Sequence, residues 1–328
     1  MMKFLVIGLG SMGCRRIRLL QRISEDNVIV GVDAREDRCR RAENDFKIAT
    51  EHDLMRALEA YRPDCAVIST SPASHAELIE KCLLAGCHVF TEINLIMDGY
   101  DENILLANSN NKVLFLSSTF LYRDEIKYIA NKISLINKPI RYSYHVGQYL
   151  PDWHPWEKVK DFFVSDKRTN GCRELLAIEL PWIIKTFGKI EEYHVIKEKI
   201  SSLKVDYNDS YVIMLRHADG HVGTIHVDVV SRKAVRNLEL WSENLYITWD
   251  GSSDGLYDYN IENKENQKVD LYEDACHENG YADFIVENAY ENELRCFIDE
   301  VNGIKSARYS FEEDKAILQM IDDIENIH

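Results

Sequence analysis

The stretch that most constrains this chain is Lys3-Phe-Leu-Val-Ile-Gly-Leu-Gly-Ser-Met-Gly13. Phe4 to Ile7 is an unbroken apolar run with branched residues, the pattern of a strand buried on both faces. Gly8, Gly10 and Gly13 follow at G-x-G-x-x-G spacing, and 14–22 reads as a helix. In such a turn Gly8 permits the tight reversal, Gly10 lets backbone approach a pyrophosphate, and Gly13 lets the helix pack on the strand. Leu9, Ser11 and Met12 supply the rest of a cradle in which phosphates meet the N–H groups of a helix N-terminus.

A lone glycine fingerprint is weak, and the next segment strengthens it. The run Val28-Ile-Val-Gly-Val32 ends at Asp33, twenty residues after Gly13, where an acidic side chain meets a ribose 2′-hydroxyl. Asp33 disfavours a 2′-phosphate by like-charge repulsion, so NAD is expected over NADP. Ala34, Arg35 and Arg38 complete this end of the cofactor site, and the two arginines lie close enough to blunt the preference.

At 328 residues and 45% hydrophobic composition the chain has room for two domains and a sizeable core. A formal charge of −16 argues against a nucleic-acid partner, which needs a clustered basic surface. No apolar run of membrane-spanning length and no signal-peptide pattern is present, so neither a membrane span nor secretion is expected. The eight cysteines have no C-x-x-C or paired spacing, which fits buried thiols in a reducing cytoplasm better than disulfides or zinc.

Helices are expected over 35–46, 51–61, 76–85 and 98–110, and strands over 65–69, 88–91 and 113–117. This β-α alternation predicts a doubly wound parallel sheet, with ligands at the carboxyl ends of its strands. After a helix over 124–136 the pattern changes to period-two segments at 140–148, 191–199, 210–217, 221–230, 235–242 and 244–249. The helix 175–187 is expected to be interrupted near Pro181, 250–273 reads as a surface hairpin or loop, and helices follow near 281–302 and 311–326. The fold class is thus α/β: a dinucleotide-binding domain over 1–120, then an α+β domain over 121–328 with a large, mostly antiparallel sheet for substrate binding and oligomerisation.

Several short signatures resemble those of the Gfo/Idh/MocA oxidoreductases, the glucose-fructose oxidoreductase and inositol dehydrogenase-like enzymes, and the resemblance covers the whole chain. The family's Glu-Lys-Pro turn after the fourth strand stands here as Glu92-Ile93-Asn94, with Ile93 in place of the lysine that positions substrate and assists proton transfer. Its Thr-Pro and following His are matched by Ser71-Pro72 and His75, and Thr70 lies beside them. The resemblance places this turn, with Glu92 and Asn94, at the nicotinamide end of the cofactor. The family's Tyr-Arg stands as Tyr122-Arg123. Its Asp-x-x-x-His is absent: the equivalent stretch, Asn170 to Trp182, carries Glu174 and Glu179, and the histidine position falls at Ile178 or Glu179.

The stretch Gly147-Gln-Tyr-Leu-Pro-Asp-Trp-His-Pro-Trp-Glu-Lys158 begins where a strand ends, and it looks like a loop of family members that accompany surface-polysaccharide or nonulosonic-sugar biosynthesis. Trp153 and Trp156 are expected to stack on a sugar or base, or else to be core. His154, with an ordinary pKa of about 6.5, suits the removal of a hydroxyl proton. The expected catalytic set is His154, Glu179 and Glu92, with Glu179 either facing the cleft or paired with an arginine; Arg123, Lys158 and Arg173 are the expected anchors for an anionic substrate. Of the set His217, His221 and His226 no metal site is expected, because sheet histidines are commonly neutral. The expected activity is hydride transfer between NAD and a hydroxyl of a sugar or nucleotide-linked sugar. The alternatives are a hydrolase or lyase using NAD without net redox, and a non-catalytic cofactor-binding regulator. A homodimer or homotetramer is expected from an exposed sheet face.

Overall fold

The computed structural model describes residues 1–153, 162–273 and 285–326. Its chain divides into one unit of Met1–Thr119 with Tyr290–Leu318, and another of Phe120–Ala289 with Gln319–His328.

In the first unit strands alternate with helices: β1 (Lys3–Ile7), α1 (Ser11–Ile23), β2 (Val28–Val32), α2 (Glu36–Phe46), β3 (Ala49–Glu51), α3 (Leu54–Tyr61), β4 (Cys65–Ile68), α4 (His75–Leu84), β5 (His88–Thr91), α5 (Tyr100–Ser109) and β6 (Leu114–Leu116). The six strands form a parallel sheet in the order β3-β2-β1-β4-β5-β6. Phe4, Leu5, Val6, Ala66, Val67 and Phe90 are at most 1% exposed, as strands buried on both faces require. The register pairs Ile7 with both Val32 and Ile68, and Ile68 with Thr91. Gly8, Asp33, Ser69 and Glu92 therefore leave the sheet at one carboxyl edge.

Two details depart from the sequence reading. The helix after the glycine turn begins at Ser11, because Gly10 already serves as its N-cap. Residues 49–51 are a short edge strand, and α3 starts only at Leu54, where the Asp53 side chain accepts a 2.7 Å hydrogen bond from Arg56 N.

The second unit contains α6 (Asp124–Ser134), β7 (Arg141–Gly147), α7 (Gly171–Phe187), β8 (Ile190–Glu198), β9 (Ser210–His217), β10 (Val222–Asp228), β11 (Val235–Ser242), β12 (Leu245–Trp249), β13 (Leu256–Asn260) and β14 (Glu265–Lys268). Its eight-stranded sheet runs β14-β13-β12-β11-β7-β10-β9-β8, antiparallel except for the parallel pair β7–β10. The expected surface hairpin is β13–β14. Two helices complete the chain, α8 (Glu287–Val301) and α9 (Phe311–Asn326). The single domain expected over 121–328 is thereby divided: Tyr290–Leu318 groups with the first unit. The cause is aromatic packing and charge, for the Phe297 ring lies 5.7 Å from Phe90 and 5.6 Å from Phe115, and both Tyr100 and Tyr309 donate to buried Asp314.

α7 covers one sheet face. Tyr142 stacks on Phe187 at 4.1 Å and Tyr144 meets Trp182 edge-on at 5.3 Å, each such ring burying enough apolar surface to contribute about 1.5–3 kcal/mol. The helix is not interrupted at Pro181. Proline removes one helical donor, and here burial of Pro181, Trp182, Ile183 and Phe187 outweighs that loss. Asn170 caps the helix start, its side chain accepting from Arg173 N at 2.8 Å.

Glu179 sits at the centre of this packing and is 0% exposed. Its carboxylate accepts from Tyr144 Oη (2.8 Å), Trp182 Nε1 (2.6 Å) and Arg236 Nε (3.0 Å). A buried carboxylate that loses its cation is costly, by about 3–5 kcal/mol. Arg236→Ala is therefore expected to lower stability by that amount in urea denaturation, and the double variant Glu179→Gln/Arg236→Met to recover most of the loss. A single variant within about 0.5 kcal/mol of wild type would contradict this role.

Candidate functional site

The glycine turn has the geometry a dinucleotide needs. Gly8 has φ +90°, and a Cβ there would lie 2.7 Å from Ser69 O. A Cβ on Gly13 would lie 1.8 Å from Gly8 O, so helix and turn are in direct backbone contact. Above Gly10 the nearest neighbour is the Arg38 guanidinium, 3.8 Å from where a Cβ would stand. The N-terminus of α1 has no side-chain cap and no acidic residue in its first turn, which suits an anion there.

Asp33 closes the other side of the turn. Its Oδ2 accepts from Leu9 N at 2.8 Å and its Oδ1 from Arg35 N at 2.9 Å, while Arg38 Nη1 stands 3.4 Å from Oδ2. Arg35 turns away to an exposed pair with Asp37. Ala34 is exposed. Arg41, which no sequence motif marks, donates to Leu9 O at 2.9 Å. Backbone access at Gly10, an open helix N-terminus and a carboxylate at the end of β2 together fit NAD.

At the end of β4, Thr70 Oγ1 lies 2.7 Å from Ser74 Oγ, and Pro72–Ser74 forms a single 3-10 turn starting after Ser71. His75 is buried and works from beneath: Nε2 lies 3.0 Å from Thr70 O and Nδ1 2.5 Å from the Asn94 amide. Burial lowers its pKa, so the ring is neutral at pH 7. It fixes the Thr70 carbonyl from within the fold.

Glu92, at the end of β5, is gripped by Arg16 of α1: Nε to Oε1 at 2.7 Å and Nη2 to Oε2 at 3.0 Å. Arg16 is 0% exposed. It also donates to Glu293 Oε2 at 2.8 Å and to Ser117 Oγ at 3.3 Å, and lies 4.5 Å over the Phe90 ring. Burial works against the guanidinium charge, and the two carboxylates outweigh it. Glu293 in turn accepts from Ser118 N (2.6 Å) and Thr119 Oγ1 (3.1 Å), and burial raises its pKa. Sequence motifs mark neither Arg16 nor Glu293. The one available signal is a pair of arginines, Arg15 and Arg16, in a helix start that faces the core.

Of the residues expected to meet substrate, two are committed elsewhere. Arg123 is 2% exposed and forks onto Glu125 at 2.9 and 2.6 Å. Arg173 is 4% exposed and paired with Asp322 (2.6 Å) and Glu325 (2.5 Å). In each case a buried guanidinium has drawn carboxylates from its own unit. Glu179, expected in the catalytic set, is the triply bonded structural carboxylate described above, the paired alternative of its sequence reading. Trp153 is half-buried, with Nε1 donating to Gln148 O at 3.0 Å. His154, Trp156 and Lys158 lie outside the described residues. His217 is bonded to Tyr142 Oη and Gly188 O, and His221 Nδ1 accepts from Ile140 N. Among the described residues no group of His, Cys, Asp and Glu is arranged to hold a metal ion, and no helix is long and apolar enough to cross a membrane.

Glu174, in the first turn of α7, differs from all of these. Its side chain is partly exposed, yet Oε2 is inaccessible and has no hydrogen-bond partner. Burial pushes its carboxyl up to about 7, against a smaller lowering by Arg236.

The glycine turn, Asp33 and the sheet order define an NAD-binding Rossmann unit. Residues 2–117 match the family model described as oxidoreductase family, NAD-binding Rossmann fold. The match covers that segment, which is similar to the NAD-binding domain of the Gfo/Idh/MocA oxidoreductases. Among solved structures it is similar to UDP-N-acetylglucosamine 3-dehydrogenase GnnA from Acidithiobacillus ferrooxidans (TM-score 0.73, 15% identity, 99% of this chain and 96% of that one). It is also similar to WlbA dehydrogenase from Chromobacterium violaceum, solved with NADH and UDP-GlcNAcA (TM-score 0.77, 11% identity, 98% and 92%). A third is myo-inositol 2-dehydrogenase from Lactobacillus plantarum (TM-score 0.76, 15% identity, 98% and 96%). At these identities the likeness is one of fold. No curated sequence matches the chain.

Two outcomes follow. Gly13→Ala forces the turn off α1 and should weaken NADH binding at least tenfold by fluorescence titration; unchanged affinity would contradict the contact. For Glu174, the folded chain keeps a proton that the unfolded chain releases above about pH 4.5, so this stabilisation is lost as pH rises through about 7. Glu174→Gln should abolish that decline, by about 1–2 kcal/mol between pH 5 and 8 after allowance for partial exposure. Identical pH dependence in urea denaturation would contradict it.

Proposed function

We propose that this chain is an NAD-dependent dehydrogenase acting on a hydroxyl of a sugar or nucleotide-linked sugar, in surface-polysaccharide or nonulosonic-sugar metabolism. The observation that carries the cofactor is the Asp33 carboxylate, fixed by Leu9 N at the rim of the glycine turn. The sugar reading is supported by the named substrates of the structural neighbours. Bound NAD supplies a hydride acceptor at its nicotinamide.

The chain's own residues do the rest. Gly10 and the N-terminus of α1 receive the pyrophosphate; Asp33 receives the adenosine ribose. Thr70, Ser71 and Pro72, supported by His75 and Asn94, wall the nicotinamide end with Glu92. Because Glu92 is already bidentate to Arg16, its part is to shape that wall and set its charge, not to take up a proton. Proton removal from the sugar hydroxyl falls to His154 or Glu174. Both residue types suit a base working near neutral pH, an imidazole by its intrinsic chemistry and Glu174 because burial raises its carboxyl pKa.

The sheet face opposite α7 exposes Ile196 (67%), Met214 (50%) and Trp241 (39%), and a second copy of the chain is its proposed occupant, giving a homodimer or homotetramer. A second reading, NAD use without net redox or cofactor binding without catalysis, is favoured by one feature: Ile93 stands where the family has lysine.

The test is incubation of the purified protein with NAD and a panel of nucleotide sugars, following absorbance at the nicotinamide band and sugar consumption by chromatography. NADH formation is expected, with a loss of at least about a hundredfold in Glu174→Gln, in His154→Ala, or in both. Sugar consumed at flat absorbance would replace the dehydrogenase with a hydrolase or lyase. Cofactor binding with no consumption of any sugar would favour the non-catalytic reading.

A further inference from the structure

The carboxyl ends of β7 and β10 and the start of β11 lie side by side, Gly147 pairing with both Asp228 and Val235. Three segments meet at this edge of the second unit: the turn after β7, the loop 229–234, and the N-terminus of α7. Leu150 N donates to Val229 O at 2.9 Å. A Cβ on Gly171 would stand 2.9 Å from Val229, 3.3 Å from Leu150 and 3.5 Å from the Trp153 ring. The edge is therefore packed tightly, and what it presents outward is held in place.

It presents two cations. The Arg232 guanidinium lies 3.6 Å from the Tyr149 ring centroid, and Lys233 follows directly. Both are exposed, and neither has an ion-pair partner among the described residues. Arg16, Arg123, Arg173 and Arg236, by contrast, each hold a carboxylate. The loop's own acid, Asp228, is occupied by His145 (2.8 Å), Ser231 Oγ (3.0 Å) and two loop N–H groups. A guanidinium seated over a phenol ring can still turn N–H donors outward, in the fork that matches phosphate oxygens.

We propose that Tyr149, Arg232 and Lys233 form a ledge that binds the diphosphate of a nucleotide-linked sugar. The inference rests on the sugar-dehydrogenase reading above and narrows it from sugars in general to those carrying a nucleoside diphosphate. Trp153, packed on the start of α7, borders the ledge.

The test is calorimetric titration of the full-length protein, saturated with NADH, with UDP as the probe. Wild type is expected to bind UDP, and Arg232→Ala/Lys233→Ala to weaken it at least about tenfold, as loss of charge-assisted hydrogen bonds implies. Arg232→Lys, which keeps the charge but not the flat fork, should fall between them. NADH affinity, read in the same samples, is expected to stay at the wild-type value and reports a folded protein. Equal UDP affinity in wild type and the double variant, or no UDP binding by wild type, would overturn the ledge. UDP binding that the double variant loses, in a protein that oxidises no sugar, would uphold the ledge while the dehydrogenase reading falls. Oxidation of an unphosphorylated sugar with no UDP binding would do the reverse.

Discussion

A single buried guanidinium, that of Arg16, ties together the parts of the first unit that a cofactor must meet. It sits about one helical turn beyond the glycine turn, grips Glu92 at the end of β5, and through Glu293 holds the segment Ser117–Thr119 beyond β6. One cation lies between two carboxylates, and Ser117 Oγ, Thr119 Oγ1 and Ser118 N supply further hydrogen bonds to Glu293. The consequence is that Glu92 has one orientation. A carboxylate so held presents a fixed group at the end of β5.

The second unit solves a related problem differently. Glu179 and Arg236 pair beneath the sheet, satisfied by Tyr144 and Trp182, and Glu174 is left about one and a half turns away along α7 with Oε2 unanswered. Two carboxylates on one helix thus acquire opposite characters from their surroundings: one a fixed anion, the other a group that holds its proton up to about pH 7.

Much of this was legible in the sequence, and the limits have physical causes. Local patterns carried far: the apolar run before Gly8, the spacing to Asp33 and the period-two strands are short-range signals, and the parallel sheet and antiparallel sheet follow from them. The site was less legible where it depended on pairing between distant residues. Arg16 and Glu293 are 277 positions apart, and no periodicity relates them. Arg173 reads as an anchor because a charge in sequence does not show a partner so far along the chain; the fold brings Asp322 and Glu325 of α9 to it, whereas Arg123 has its partner Glu125 only two residues on. The grouping of Tyr290–Leu318 with the first unit is likewise a matter of Phe297 meeting Phe90 and Phe115. Pro181 misled for a simpler reason, since the cost of one lost helical donor is local and the burial that outweighs it is not.

The account stands on the cofactor being NAD, bound at the glycine turn and selected by Asp33. The most direct measurement is calorimetric titration of wild type and Asp33→Ser with NADH and with NADPH at fixed ionic strength. Wild type should bind NADH at least tenfold more tightly than NADPH, and Asp33→Ser should erase that preference. A wild-type protein that bound neither nucleotide, or a preference that survived the substitution, would contradict it.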